Sequence, residues 1–126
     1  MAKIVILGAG IAGHTAASYL QKALNKKEHT ITVVSPTPTY QWIPSNIWVG
    51  VGRMKPEEIK FDLRPLYKRW GIEYLQAKAK NFHPEGDTEI NKGFVEIEYT
   101  NDGQKGFLQK ISYDFLINAT GPKLNF

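Results

Sequence analysis

The sequence predicts an α/β fold: a parallel βαβ unit carrying an inserted three-stranded antiparallel meander. Three observations carry this. The apolar run Ile4–Leu7 enters Gly8-Ala-Gly10-Ile-Ala-Gly13, and a helix-periodic stretch follows at once. A β-branched strand, Thr30–Val34, comes after that helix and a polar turn. From Ala77 onward short strand-like segments are punctuated by Gly86-Asp87 and Asn101-Asp-Gly103, and an apolar strand returns at Asp114–Asn118.

In chain order, residues 3–8 read as the first strand. Residues 11–25 read as a helix with Ile11, Thr15, Ala16, Tyr19, Leu20, Ala23 and Leu24 on one face. Residues 25–29 form a polar turn before the second strand. Residues 36–52 are irregular, with Pro36, Pro38 and Pro44 set among Tyr40, Trp42 and Trp48. A long aromatic loop in a compact domain suggests a ligand-lining role, the alternative being a surface loop pinned by buried aromatics. Pro56–Ile59 is a connector, and Leu63–Trp70 is a short helix closed by Gly71. Ile72–Gln76 is a further strand of the parallel unit. Lys78–Phe82, Phe94–Tyr99 and Phe107–Ser112 form the meander.

The glycine spacing has a physical logic. Gly8 allows the sharp turn out of the strand, Gly10 presents backbone without a Cβ to a pyrophosphate, and Gly13 lets the helix pack closely on the strand. The helix N-terminus then offers free N–H groups and its positive dipole end to phosphate oxygens. An adenine dinucleotide is the ligand this implies. The acidic residue that usually grips the ribose hydroxyls some 20 residues onward is absent. Ser35 stands there, with one hydroxyl to offer. On these residues alone NAD and FAD remain equal candidates.

Composition narrows the class. The 126 residues suit one domain, and 42% hydrophobic content supports a core. The formal charge of +4 is scattered along the chain and accompanies no nucleic-acid-binding signature, so no nucleic-acid partner is expected. An anionic membrane surface stays open as a partner. The chain has no cysteine, which excludes disulfides, zinc thiolate sites and cysteine redox chemistry within it. No apolar run approaches the roughly 18 residues of a spanning helix, and no signal peptide precedes the first strand. A cytoplasmic protein, or the cytoplasmic part of a larger one, is expected.

The second informative motif is Ile117-Asn-Ala-Thr-Gly-Pro-Lys123, an apolar strand ending in Ala-Thr-Gly. Such a strand end brings backbone amides to the pyrophosphate held by Gly8–Gly13. Together the two motifs resemble the Rossmann-like FAD-binding domain of the two-dinucleotide-binding-domain flavoproteins. Tyr40-Gln-Trp-Ile-Pro-Ser-Asn-Ile-Trp-Val-Gly-Val-Gly52, Ile59-Lys-Phe-Asp-Leu63 and Ala119-Thr-Gly-Pro-Lys-Leu-Asn-Phe126 narrow the likeness to the N-terminal part of sulfide:quinone oxidoreductases. Flavocytochrome c sulfide dehydrogenases and type II NADH dehydrogenases are similar but less close.

The resemblance covers all 126 residues and implies one FAD/NAD(P)-binding domain, 1–126, that is the N-terminal fragment of a longer flavoprotein. It implies FAD as cofactor. Gly8, Gly10 and Gly13 would hold the pyrophosphate, and Ser35 would lie at the adenosine ribose. The backbone at Lys78 and Ala79 would read the adenine. Pro44 and Ser45 would lie beside the isoalloxazine ring, and Thr120 and Gly121 near the diphosphate and ribitol. Sulfide and quinone would be engaged by later parts of the chain, where the family carries its redox cysteines and membrane-binding helices. No catalytic residue and no metal ligand is expected in this segment, which alone would be inactive. Peripheral membrane association would belong to the full-length protein, and self-association is expected of the fragment through strands left exposed. A non-catalytic nucleotide-binding module is the alternative of a different class.

His14 follows Gly13 and reads as a helix-surface histidine, with proximity to phosphate as the functional alternative. Asn118-Ala-Thr120 matches a glycosylation sequon, but it sits at what reads as a buried strand end. Trp42 and Trp48 either pack near the flavin or anchor their loop.

Overall fold

The computed structural model describes residues 1–122. A six-stranded sheet forms the body, built from β1 (Ala2–Leu7), β2 (His29–Ser35), β5 (Glu73–His83), β6 (Phe94–Tyr99), β7 (Leu108–Ser112) and β8 (Phe115–Asn118). Its spatial order is β7-β6-β5-β2-β1-β8. β1 pairs in parallel with β2 and β8, and β2 pairs in parallel with β5. β5, β6 and β7 are antiparallel, which is the meander. The expected α/β architecture is therefore present. Among the described residues, no helix is long and apolar enough to cross a membrane.

β1 is apolar at every position from Ile4 to Leu7 because both of its faces are covered. Ile4 and Ile6 join Ile31 and Val33 of β2 under helices α1 (Ile11–Ala23) and α3 (Leu63–Trp70), which contribute Ala17, Leu63 and Tyr67. Val5 and Leu7 face the other way, into a second cluster with Val34, Ala77, Val95, Ile97 and Ile111. The first cluster holds α1 against the parallel strands, so that its N-terminus lies at their C-terminal ends, where ligands bind in open α/β sheets.

Several elements differ from the expectation. α1 stops at Ala23 rather than at residue 25, because Leu24 adopts an extended backbone. The strand expected at Ile72–Gln76 and the first meander strand are one continuous strand, β5. Its first part lies against β2, and from Ala77 it changes partner to β6, with a bulge between Ala79 and Asn81. Residues 36–52 are not wholly irregular. They contain β3 (Thr39–Gln41), a 3-10 turn (Ile43–Ser45) and the short helix α2 (Asn46–Gly50). β3 pairs with β4 (Lys60–Asp62), so Tyr40 stands opposite Phe61. These two short strands are the base of an arm, residues 42–59, that projects from the body. α3 is capped at its N-terminus by Asp62, whose carboxylate accepts the Arg64 N–H at 2.9 Å, and at its C-terminus by Gly71 with φ of 72°. That left-handed conformation is the reason a glycine closes the helix.

Candidate functional site

The site is the junction of the first strand, the first helix and the last described strand. Gly8 leaves β1 with φ of 95°, and its N–H donates to the Val34 carbonyl at 2.8 Å. A Cβ at Gly8 would lie 2.2 Å from the Ala119 carbonyl oxygen. β8 is thus seated directly on the glycine turn, with Asn118 opposite Leu7 and the Ala119 N–H donating to the Leu7 carbonyl at 2.7 Å. A Cβ at Gly13 would lie 1.9 Å from the Gly8 carbonyl oxygen, so helix and turn are in backbone contact.

Gly10 is different. A Cβ there would meet no atom within 4 Å. It stands at the N-cap of α1, where no side chain caps the helix and no acidic residue occupies the first turn. Open space before uncapped N–H groups suits an anion that must approach the backbone closely. A pyrophosphate fits this chemistry.

A cavity of about 190 Å³ adjoins the turn, lined by Gly8, Val34, Pro36, Lys78, Ala79 and Thr120 among others. Residues expected at the pyrophosphate and at the adenine therefore share one space. The Lys78 ammonium is 3.0 Å from the Glu98 carboxylate across the β5–β6 ladder, and this contact holds the Glu98 pKa below its ordinary value. The Thr120 N–H and hydroxyl both donate to the Asn118 side-chain carbonyl, at 3.3 and 2.8 Å. Asn118, expected to be buried, is exposed and shapes the turn that Gly121 completes with φ of 79°. Lys123–Phe126, part of the sequence likeness, lie outside the described residues.

Ser35 is buried at the end of β2. Its hydroxyl donates to the Thr37 carbonyl at 3.0 Å, and its own carbonyl accepts from the Tyr74 hydroxyl at 3.0 Å. Burial pushes the Tyr74 pKa up to about 12. The Ser35 side chain is therefore spent on the local turn rather than presented outward. Pro44 and Ser45 are not at the glycine cavity. They lie on the arm, where Ser45 lines a separate cavity of about 290 Å³ with Tyr40, Trp42, Met54, Ile59 and Phe61. Trp42 and Trp48 are each a little under half exposed there, and the Arg53 guanidinium lies 5.7 Å from the Trp48 ring. A larger cavity, about 590 Å³, lies among Arg64, Tyr74, Gln76, Tyr99 and Asn101 and contains none of the expected residues. Among the described residues no three His, Asp or Glu side chains gather as a metal site.

His14 also departs from the expectation. It is half-buried rather than on the helix surface, and its Nδ1 lies 2.8 Å from the Tyr67 hydroxyl. The available signal was helical spacing: Ala17, one turn on, is fully buried on the same face. Burial lowers the His14 pKa. Its titratable neighbours are Tyr40 on β3 and Tyr67 on α3; Phe61 and Trp70 complete its surroundings, and none of the four brings a carboxylate. Because the folded pKa lies below the unfolded one, the unfolded chain binds this proton more readily. The His14 contribution is therefore intact above the unfolded value of 6.5 and is lost as pH falls below it. A falling urea midpoint between pH 7 and pH 5, absent in His14→Phe, is the expected result.

A glycine turn in backbone contact with an Ala-Thr-Gly strand end, under an uncapped helix N-terminus, defines an adenine-dinucleotide-binding domain. The chain belongs to the pyridine nucleotide-disulphide oxidoreductase family, whose model matches residues 2–125. It is 32% identical to the sulfide-quinone reductase of Aquifex aeolicus over the whole chain, which spans 26% of that protein. The crystal structure of the Aquifex aeolicus sulfide:quinone oxidoreductase superposes with a TM-score of 0.81 at 30% identity, covering 100% of this chain and 26% of that one. An external alternative NAD(P)H-ubiquinone oxidoreductase of Arabidopsis thaliana is 29% identical over 98% of this chain and 20% of its own length. The chain thus spans about a quarter or less of these relatives. FAD is the cofactor this flavoprotein family implies, and the residues at the glycine turn fit it.

Proposed function

We propose that this chain is the FAD-binding portion of a sulfide:quinone oxidoreductase, an enzyme that passes two electrons from sulfide to FAD and on to quinone. The likeness to the Aquifex sulfide-quinone reductase along the entire chain carries this reading. FAD supplies the redox chemistry when bound; the protein binds and orients it. Gly8, Gly10 and Gly13 admit the pyrophosphate to the N-terminus of α1. Thr120 and Gly121 bring a second stretch of backbone beside it, and Lys78 and Ala79 border the adenine. Ser35 shapes the backbone next to the ribose, and Pro44 and Ser45 present the arm to the isoalloxazine. The sulfur-accepting cysteines belong to residues outside this cysteine-free segment. A lipid-soluble quinone calls for a peripheral association with the cytoplasmic membrane face, and the exposed β8 edge for self-association of the segment on its own.

A type II NADH:quinone oxidoreductase is the second reading, favoured by the Arabidopsis relative and by a Staphylococcus aureus type II NADH:quinone oxidoreductase. A flavocytochrome c sulfide dehydrogenase flavin subunit shares the sulfide step but not the quinone. The protein joined to the remainder of its reading frame separates these. Sulfide-dependent reduction of a soluble quinone, without NADH, is expected. NADH-dependent reduction that sulfide cannot replace would establish the second reading. Nucleotide binding without flavin absorbance or quinone reduction would leave a non-catalytic module.

A further inference from the structure

We propose that His14 is a positioning residue that locks the arm, residues 42–59, to the first turn of α1, so that the flavin half of the cofactor meets a fixed surface. This builds on the proposed placement of Pro44 and Ser45 at the isoalloxazine.

The juxtaposition is specific. His14 lies one residue beyond Gly13, on the helix whose N-terminus receives the pyrophosphate. Its ring sits 4.8 Å from Tyr40, 5.9 Å from Phe61, and 5.7 Å from both Tyr67 and Trp70, stacking on Trp70 at 18° between planes. Tyr40 and Phe61 face each other across the β3–β4 pair, which is the base of the arm. The Trp42 N–H, donating to the Ile59 carbonyl at 2.8 Å, closes the arm just beyond that base. Tyr40 and Phe61 also line the arm cavity that holds Ser45. Further out, Ile43, Ile47 and Val51 are exposed, and α2 packs chiefly on the 3-10 turn before it. Contact between the arm and the body is thus concentrated at its base, where His14 stands between arm and helix.

Tyr67 is fully buried, and its hydroxyl lies 2.8 Å from His14 Nδ1. Desolvation favours the neutral imidazole, and either neutral tautomer makes this bond, Nδ1 accepting from the tyrosine O–H or donating to its oxygen. Losing Nδ1 would leave a buried hydroxyl without its partner, and the cluster would reorganise around it.

The test compares FAD with ADP, which shares the adenine and pyrophosphate but cannot reach the arm. Affinities are measured on the protein by flavin fluorescence and by calorimetry with ADP. In His14→Phe, which keeps a ring but loses Nδ1, FAD affinity is expected to fall about three- to tenfold, the range of one net hydrogen bond. ADP affinity is expected to stay unchanged. Tyr67→Phe is expected to reproduce this split, and it serves where His14→Phe does not fold. The double variant is expected to be no worse than either single one, since both remove the same bond. Equal losses for FAD and ADP, or no loss in either, would overturn the positioning role while leaving the cofactor site standing. Wild-type protein that binds FAD no more tightly than ADP would overturn the flavin-facing arm, and this inference with it.

Discussion

Alanine at Gly13 is expected to lower stability by about 3 kcal/mol, although alanine is the best helix former. The added Cβ would lie 1.9 Å from the Gly8 carbonyl oxygen and 2.8 Å from its carbon. Neither atom can yield. The Gly8 N–H is tied to the Val34 carbonyl, and Ala119 occupies the other side of the turn. The helix must therefore lift off β1, opening the cluster where Ala17 meets Ile4 and Ile6. Helix propensity returns at most about 1 kcal/mol. Overpacking against unyielding backbone lies at or beyond the upper end of its usual cost of about 1–3 kcal/mol. Urea unfolding followed by far-UV circular dichroism measures the loss. Gly50→Ala is the control: it lies in α2 with nothing within 4 Å of its added Cβ, and no loss is expected. A Gly13→Ala protein as stable as wild type would show that α1 does not touch the turn.

The parts of this fold that were legible in the sequence are those where one residue type is demanded locally. Gly8 and Gly71 occupy left-handed backbone, and Gly13 marks a contact that excludes a Cβ. The unbroken apolar run of β1 reflects two covered faces. The glycine turn after β1 and the Ala-Thr-Gly end of β8 could be paired from sequence because each has its own glycine signature. β3 and β4 had no such mark. They are three residues each, and their pairing across the arm is decided by Tyr40 and Phe61 packing on His14. The change of pattern at Ala77 was visible, yet it records a change of partner within β5 rather than a break in the chain. His14 was misread because a polar residue beside a phosphate turn suggests solvent, whereas its partner Tyr67 comes 53 residues later. The cleft around Gly8 was accessible to sequence reasoning; the placement of Pro44 and Ser45 on a separate arm was not, since nothing local fixes where an arm points.

Alanine at Gly10 is expected to do the opposite of alanine at Gly13: the fold survives and cofactor binding is lost. Gly10 has φ of −79° and ψ of −156°, extended backbone open to any residue. Its added Cβ meets no protein atom within 4 Å, so the only stability term is the exchange of glycine for alanine at an N-cap, about 1 kcal/mol or less. The methyl group would stand in the open space before the uncapped N–H groups of α1. A pyrophosphate held there by backbone donors would have to retreat by about the radius of a methyl group. Hydrogen bonds at N–H···O distances near 3 Å do not survive that displacement, and loss of two of the charge-assisted kind costs roughly 3 kcal/mol or more. FAD and ADP affinity should both fall by about a hundredfold or more, while the urea midpoint drops by no more than a cost of about 1 kcal/mol allows. The equal loss for the two ligands separates this residue from His14, whose variants are expected to spare ADP. It also separates Gly10 from Gly13, whose variant is expected to lose fold and ligand together. Undiminished FAD binding in Gly10→Ala would mean that the phosphates do not approach α1 at all, and the glycine turn would then be a packing device alone.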